Sequence, residues 1–576
     1  MTRLVNDPGT FAGEAVDGLA AAYGDHVLRV HGGVVRAATS PPGEVALVLG
    51  GGSGHYPAFA GWVGPGMAHG ATCGNVFASP AASQVYSVVR AADNGGGVLL
   101  GFGNYAGDVL HFGQAAERLR AEGVDVRVVT VTDDVASAPP DRAHERRGIA
   151  GDVVVLKIAG AACAAGWDLD AVEAVTRRAN DRTRSLGFAF EGCTLPGADA
   201  PLFHVEPGTM ALGLGIHGEP GIDDAPLGSA DEVADRLVDG LLAEQPERGE
   251  GYDGRVAVVL NGLGGTKYEE LFVVFGRVAR RLRAAGLTPV APLVGELVTS
   301  LDMAGLSLTL TFLDPELERL WLAPVDTPAL HRAPPPGPRR TVTAEPAAAP
   351  VARGSAPSRR AAAGAVAVLG AWAQTAAVHQ QELGDLDAVA GDGDHGQGMV
   401  LGSAAAHRSG VELRDQGVGI RSVLLGAGAA WSEGAGGTSG ALWGAMLTAA
   451  GASLSDQAPP QPRDAVTAVL AAADAVLRLG GARPGDKTLV DALAPFADTL
   501  AARWAQDVPL AQAWRDAARA AADGADATAA LSARLGRART HGERSKGHRD
   551  PGAVSFALLV AAATDVITEL TTGEDR

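Results

Sequence analysis

The sequence predicts an α/β half followed by an all-α half, and three observations carry that division. Short β-rich runs in the first half end in Gly, Asn or Asp and lead into helical stretches; a Pro/Ala-rich interval lies past the middle; Ala-rich helical segments without strand runs follow it. At 576 residues the chain also exceeds what one hydrophobic core serves.

The first-half strands are expected at 45–49, 98–100, 126–131 and 256–260. Residues 306–312 alternate Leu306, Leu308, Leu310 and Phe312 with Ser307, Thr309 and Thr311, the period of a strand with one buried face, and a second α/β lobe is expected to begin near Gly187. Residues 326–360 lack an apolar period and read as a linker. Beyond it, 361–382 and 464–479 have helical composition. The expected organisation is 1–325 α/β in two lobes, 326–360 linker, and 361–576 all-α.

Composition narrows the function. With 47 % hydrophobic and 20 % charged residues the chain is globular; with a formal charge of −19 and no dense basic block, neither nucleic acid nor an anionic membrane is a partner. Cys73, Cys163 and Cys193 are far apart, which gives no zinc signature or disulfide framework and fits a reducing compartment. No apolar run is expected to reach the roughly 18 residues of a membrane span, so the expected location is cytoplasmic.

Three first-half motifs carry chemistry. Leu47 to His55 reads as a strand feeding a glycine loop, Gly50-Gly51-Gly52-Ser53-Gly54, whose backbone can approach a ligand; a plain strand-to-helix turn uses the same glycines. Residues 101–108 form another glycine-rich strand end closing on Asp108, a helix cap or a site carboxylate. In 210–217, strand alternation would place His217 on a face shared only with Ala211, Gly213 and Gly215, leaving room for a small ligand.

In the second half, Asp387, Asp392 and Asp394 follow a helix. Clustered hard oxygens favour Mg²⁺ over zinc, and an EF-hand is excluded because the twelfth position from Asp392 is Ser403. Gly436-Gly437-Thr438-Ser439-Gly440 is expected as a loop offering donors to phosphate. Residues 480–488 mimic a Walker A loop, but Asp486 interrupts it before Lys487 and no strand precedes it, so that reading fails.

These motifs, with 59–82 and 149–162, resemble the dihydroxyacetone kinase family, whose substrate domain is matched over 1–325 and whose nucleotide domain, an antiparallel helical barrel, over 361–576. The resemblance implies an ATP-dependent ketose kinase. His217 would hold the substrate carbonyl as a hemiaminal, with Gly52, Ser53, Gly54, His55 and Asp108 around the sugar, His55 orienting it and Asp108 accepting the hydroxyl proton. Asp387, Asp392 and Asp394 would hold two Mg²⁺ ions; His395, Gly396, Gln397, Gly398, Thr438, Ser439, Gly480, Leu489, Arg537, Asp550, Pro551 and Gly552 would line the nucleotide. A homodimer is implied too. Gly103 stands where the family commonly has lysine and Tyr56 where it has glutamate. Both changes imply a larger pocket and a preference for a four-carbon ketose, D-erythrulose, with dihydroxyacetone the alternative if the changes are neutral. The competing readings are a phosphotransferase-system kinase with bound nucleotide, an FAD-cyclising lyase and a silent regulator.

Overall fold

The computed structural model describes residues 4–219, 221–249, 251–333, 352–535 and 542–572. The chain forms two compact units, 1–340 and 341–576.

The first unit contains two six-stranded sheets. One comprises β1 (Val27–Val30), β2 (Gly33–Arg36), β3 (Ala46–Ser53), β4 (Gly70–Val76), β5 (Val98–Gly103) and β6 (Val126–Val131), ordered β1-β2-β4-β3-β5-β6. β3 runs parallel to both β4 and β5, so its carboxyl end opens where the chain departs to opposite sides, the usual ligand crevice of such sheets. The expected glycine loop is instead the second half of β3. A Cβ at Gly50 would lie 1.9 Å from Thr72 Oγ1 and one at Gly51 2.6 Å from the Phe59 ring, so only glycine lets the strand run between these neighbours.

Helices α2 (Ala82–Ala92) and α3 (Ala106–Ala121) cover the outer face of this sheet, and α1 (Phe11–Ala22) precedes it. α4 (Gly151–Ala164) is buried from Gly151 through Cys163 and touches strands of both sheets; α5 (Leu169–Asp181) packs beside it. Burial all round explains the unbroken apolar run of α4, in which Lys157 donates to the Leu320 carbonyl at 3.2 Å and burial pushes its pKa down to about 7.

The second sheet comprises β7 (Thr183–Ala189), β8 (Thr209–Leu212), β9 (Asp223–Pro226), β10 (Arg255–Gly262), β11 (Thr288–Gly295) and β12 (Gly305–Phe312), ordered β11-β10-β12-β7-β8-β9. α6 (Ala230–Leu242) and α7 (Tyr268–Ala284) pack on its leucine-rich face. The alternation of β12 does not mark an exposed face, because every residue is buried. Its hydroxyls pair across strands instead, Thr309 with Ser185 at 2.6 Å and Thr311 with Thr183 at 2.9 Å.

After α8 (Pro315–Leu322), β13 (Val325–Asp326) pairs with β14 (His331–Arg332), and the second unit begins with α9 (Ala356–Val378). The expected linker, 326–360, is therefore too wide at both ends.

The second unit contains α9, α10 (Gln380–Ala388), α11 (His395–Asp415), α12 (Ile420–Ala435), α13 (Gly437–Ala452), α14 (Pro462–Gly480), α15 (Val490–Ala505), α16 (Leu510–Ala527), α17 (Gly542–Ser545) and α18 (Pro551–Thr572). Packing runs α9, α11, α12, α13, α14, α15, α16, α18 and back to α9, a closed helical barrel. Trp431 stacks on Trp443 at 4.8 Å inside it, against Trp372 and Phe556. Contrary to the sequence expectation, α9 and α18 are long and apolar enough to span a membrane, with mean hydropathies of 1.5 and 1.7. Here they are neighbouring staves of the barrel, and Val554, Phe556, Leu559 and Val560 of α18 enter its core.

Candidate functional site

In the first unit, β3 ends at Ser53 and delivers His55, α3 carries Asp108 in its first turn, and the turn after β8 carries His217. The strand alternation expected through 217 stops at Leu212; Gly213 turns the chain with φ +71°. His217 thus reaches the cleft from a turn. Its Nδ1 lies 2.8 Å from Glu219 Oε1, and its backbone N–H donates to Glu219 Oε2 at 2.5 Å. A side chain at Gly215 would displace this carboxylate, since its Cβ would lie 1.9 Å from that Oε2.

The ring nitrogens define a proton order. His55 Nδ1 lies 2.7 Å from the Thr299 carbonyl, which only accepts, so this nitrogen donates. Burial, then the charge of His217, pushes His55 down to about 3, so the ring is neutral and its Nε2 is an acceptor. That Nε2 stands 3.0 Å from His217 Nε2, which therefore donates to it. Burial works to raise Glu219, but the hydrogen bond and charge of His217 outweigh it and hold the carboxylate below its usual range. Phe77 and Tyr105 pack edge-on to His217 at 5.1 and 5.0 Å. Asp108 is buried and pushed up to about 6 by desolvation, against the opposing pull of Ser79 and His217. The arrangement offers a nucleophilic or hydrogen-bonding imidazole, a neutral partner imidazole and a carboxylate able to take a proton near neutral pH.

In the second unit a cavity of about 440 Å³ is lined by Asp387, Asp392 and Asp394 on one side and by the amino ends of α11, α13 and α18 on others. The first turns of three helices border one space, and the positive end of a helix suits phosphate oxygens. The expected 436–440 loop is the start of α13, with Thr438 and Ser439 in its first turn. One oxygen from each aspartate lies within 4.8 Å of the others, and Asp387 Oδ2 is fixed by the Gly393 N–H at 2.9 Å. Hard carboxylate oxygens at this separation fit a divalent cation such as Mg²⁺. Asp550 caps α18 through the Ala553 N–H at 2.8 Å and is raised to about 7 by burial.

The Dak1 domain matches residues 17–329 and the DAK2 domain 389–565. L-erythrulose 1-kinase of Mycolicibacterium smegmatis is 60 % identical over 99 % of this chain and 100 % of its own length. The chain belongs to the dihydroxyacetone kinase family. It is therefore a kinase with an alcohol acceptor. D-erythrulose kinase of the same organism is 52 % identical, with both chains covered fully. Among solved structures, the dihydroxyacetone kinase from C. freundii in complex with AMP-PNP and Mg²⁺ is 32 % identical with TM-score 0.57, covering 98 % of this chain and 99 % of that one.

Most expected site residues of this kinase gather as two sets, one in each unit. Gly52, Ser53 and Gly54 lead β3 to His55, and His395, Gln397, Gly398, Thr438, Ser439, Gly480, Leu489, Asp550, Pro551 and Gly552 line the cavity. Gly396 does not; its missing side chain lets α11 pack on the Gln380 carbonyl, 2.0 Å from a Cβ there. Arg537 lies outside the described residues. Tyr56 lines an apolar cavity of about 350 Å³ beside α1 with Phe11, Leu19 and Phe59, and the expected sugar residues Gly52, Ser53 and Gly54 border the same cavity. Sequence reasoning missed Glu219, although it lies two residues after His217, and Thr299, whose 244-residue separation from His55 leaves no local signal.

Proposed function

We propose that this kinase phosphorylates a four-carbon ketose, L-erythrulose, with ATP and two Mg²⁺ ions on Asp387, Asp392 and Asp394. The observation that carries the reading is His217, whose Nδ1 is committed to Glu219 while its Nε2 faces the buried His55, with the buried Asp108 close enough to feel its charge. In this reading His217 Nε2 bonds the ketone carbon, the C=O pair moves to oxygen, and the proton leaving Nε2 passes by way of His55 to that oxygen. The resulting hemiaminal ring is a cation balanced by Glu219. Asp108 then takes the proton of the hydroxyl that attacks the γ-phosphate. Bound Mg²⁺ would supply charge neutralisation on the phosphates. The 60 % identity to an L-erythrulose relative, against 52 % to a D-erythrulose relative, supports the L form over the D form expected from sequence. A homodimer working in the cytoplasm belongs to the same reading.

ATP consumption with L-erythrulose, D-erythrulose, dihydroxyacetone, glycerol or no acceptor, run beside FAD turnover, tests it. L-erythrulose should give the highest kcat/KM and glycerol little. Turnover of FAD alone, or ATP use independent of any acceptor, would refute the reading.

A further inference from the structure

The turn 213–219 carries both His217 and Glu219, yet its sequence does little to hold it still. Three of its seven residues are glycine, and strand pairing ends just before it at Leu212. Inside the turn the Gly215 N–H donates to the Glu219 carbonyl at 3.1 Å and the Gly218 N–H to the Gly215 carbonyl at 3.3 Å. Neither bond ties the tip of the turn to another element, so the placement of the His217 ring calls for an anchor from outside.

Arg147 supplies one. Its backbone is fixed on the segment that follows β6: the Arg147 N–H donates to Ser137 Oγ at 3.0 Å, and the Arg147 carbonyl accepts from the Asp134 N–H at 3.2 Å. From there the side chain, 15 % exposed, crosses to the turn. Nε donates to Asp134 Oδ2 at 3.0 Å; Nη2 lies 2.7 Å from the same oxygen and donates to the Gly213 carbonyl at 3.0 Å; Nη1 stands 3.8 Å from Glu219 Oε2. A guanidinium presents its donors in a rigid planar fork, so one side chain joins the start of the turn, its carboxylate and the 134–137 segment at once.

Gly215 completes the arrangement. A Cβ there would lie 2.5 Å from Arg147 Nη1 as well as against Glu219, so the bare backbone leaves the space in which carboxylate and guanidinium meet. Glu219 Oε1 is left to His217 Nδ1, while Oε2 takes the His217 N–H and faces Arg147. The adjacent Arg146 goes elsewhere, its two Nη groups each donating to one oxygen of Glu244 at 2.8 Å. A side chain that only neutralised the buried Asp134 would have no use for the contacts to Gly213 and Glu219.

We propose that Arg147 is a positioning residue for the ketose anchor: its guanidinium fastens the 213–219 turn to the 134–137 segment and holds the Glu219 carboxylate on His217. This rests on the reading of His217 as the anchor given above. Arg147 touches neither substrate nor phosphate in this role, and acts through Glu219 and the backbone of the turn.

The test follows L-erythrulose on the full chain by native mass spectrometry, beside steady-state kinetics and the urea midpoint. Arg147→Met should cut retention of the ketose about tenfold and kcat/KM for it about 10²-fold, with the KM for ATP unchanged, because a slightly misplaced reacting group is that costly. The variant also strands Asp134, so it should be less stable; the double variant Asp134→Asn/Arg147→Met should regain the urea midpoint but not the ketose. Recovery of both together would show that Arg147 merely neutralises Asp134 and would overturn the proposal. So would full activity in Arg147→Lys, whose point charge cannot hold three partners in one plane. If Arg147→Met does not fold, the double variant decides alone. A wild type that retains no ketose, or a His217→Ala variant that retains it equally, would instead overturn the anchor reading, and this one with it.

Discussion

Asp108 links stability and activity at the scale of a single residue. Its pKa in the folded protein, about 6, lies above the ordinary 3.8, so folding favours the protonated carboxyl. The native state pays no penalty well below pH 4; the cost grows as pH rises between the two values and is complete above about pH 6, at on the order of 3 kcal/mol. Asp108→Asn should therefore stabilise the protein at pH 8, leave it unchanged near pH 4, and cut kcat at least about 10²-fold. Denaturant titrations at both pH values check this, and a variant less stable at pH 8 would mean the carboxylate is favourably paired. The wild-type rate should rise with pH through about 6 as the base ionises. Glu219 acts one bond further away. Glu219→Gln keeps an acceptor but removes the charge opposite the His217 ring, so retention of ketose on the protein, read by native mass spectrometry, should fall about tenfold; unchanged retention would exclude the carboxylate from the anchor.

Among the elements, the segment 483–491 shows how a familiar pattern is diverted. Lys487 resembles a phosphate-binding lysine in sequence, yet its Nζ lies 2.5–3.0 Å from the carbonyls of Thr528, Leu531, Ser545 and His548, so its three N–H bonds are shared among four acceptors. Its ammonium ties the end of α16 to the turn before α18, holding the amino end of α18 against the cavity. Lys487→Met should strand these carbonyls and destabilise the helical unit by about 2–4 kcal/mol, seen as a lower midpoint in urea. A variant of normal stability that loses only nucleotide affinity would show that the lysine serves phosphate instead. Sequence rules rejected the Walker loop correctly at this point, but the carbonyl cage depends on residues 41 to 61 positions away and had no local signature.

For the whole molecule, the His55, Asp108 and His217 group and the aspartate cluster belong to separate compact units with separate cores. Damage to one site should therefore leave binding at the other intact. Asp392→Asn, or chelation with EDTA, should abolish phosphorylation by at least about 10²-fold while calorimetry still detects ketose binding at the wild-type affinity. Loss of ketose binding in that variant would contradict the independence of the units, and undiminished ATP turnover would remove the aspartates from the metal site.

The sequence by itself determined the class of each half, the strands at 98–100 and 126–131, the helical second half and the acidic cluster, because each is written in local periodicity or in residues a few positions apart. It also carried His55, Asp108 and His217 as separate motifs. Only the tertiary structure decided what these residues do to one another. His55 and His217 are 162 positions apart yet share a proton across 3.0 Å, and β12 reads as half-exposed until α4 covers its second face. The glycines read as a loop became strand, since the reason for glycine was the side chain of a neighbouring strand and the Phe59 ring rather than a turn. Local patterns report how a segment wants to fold; burial, proton order and the close approach of distant backbones arise only when segments meet.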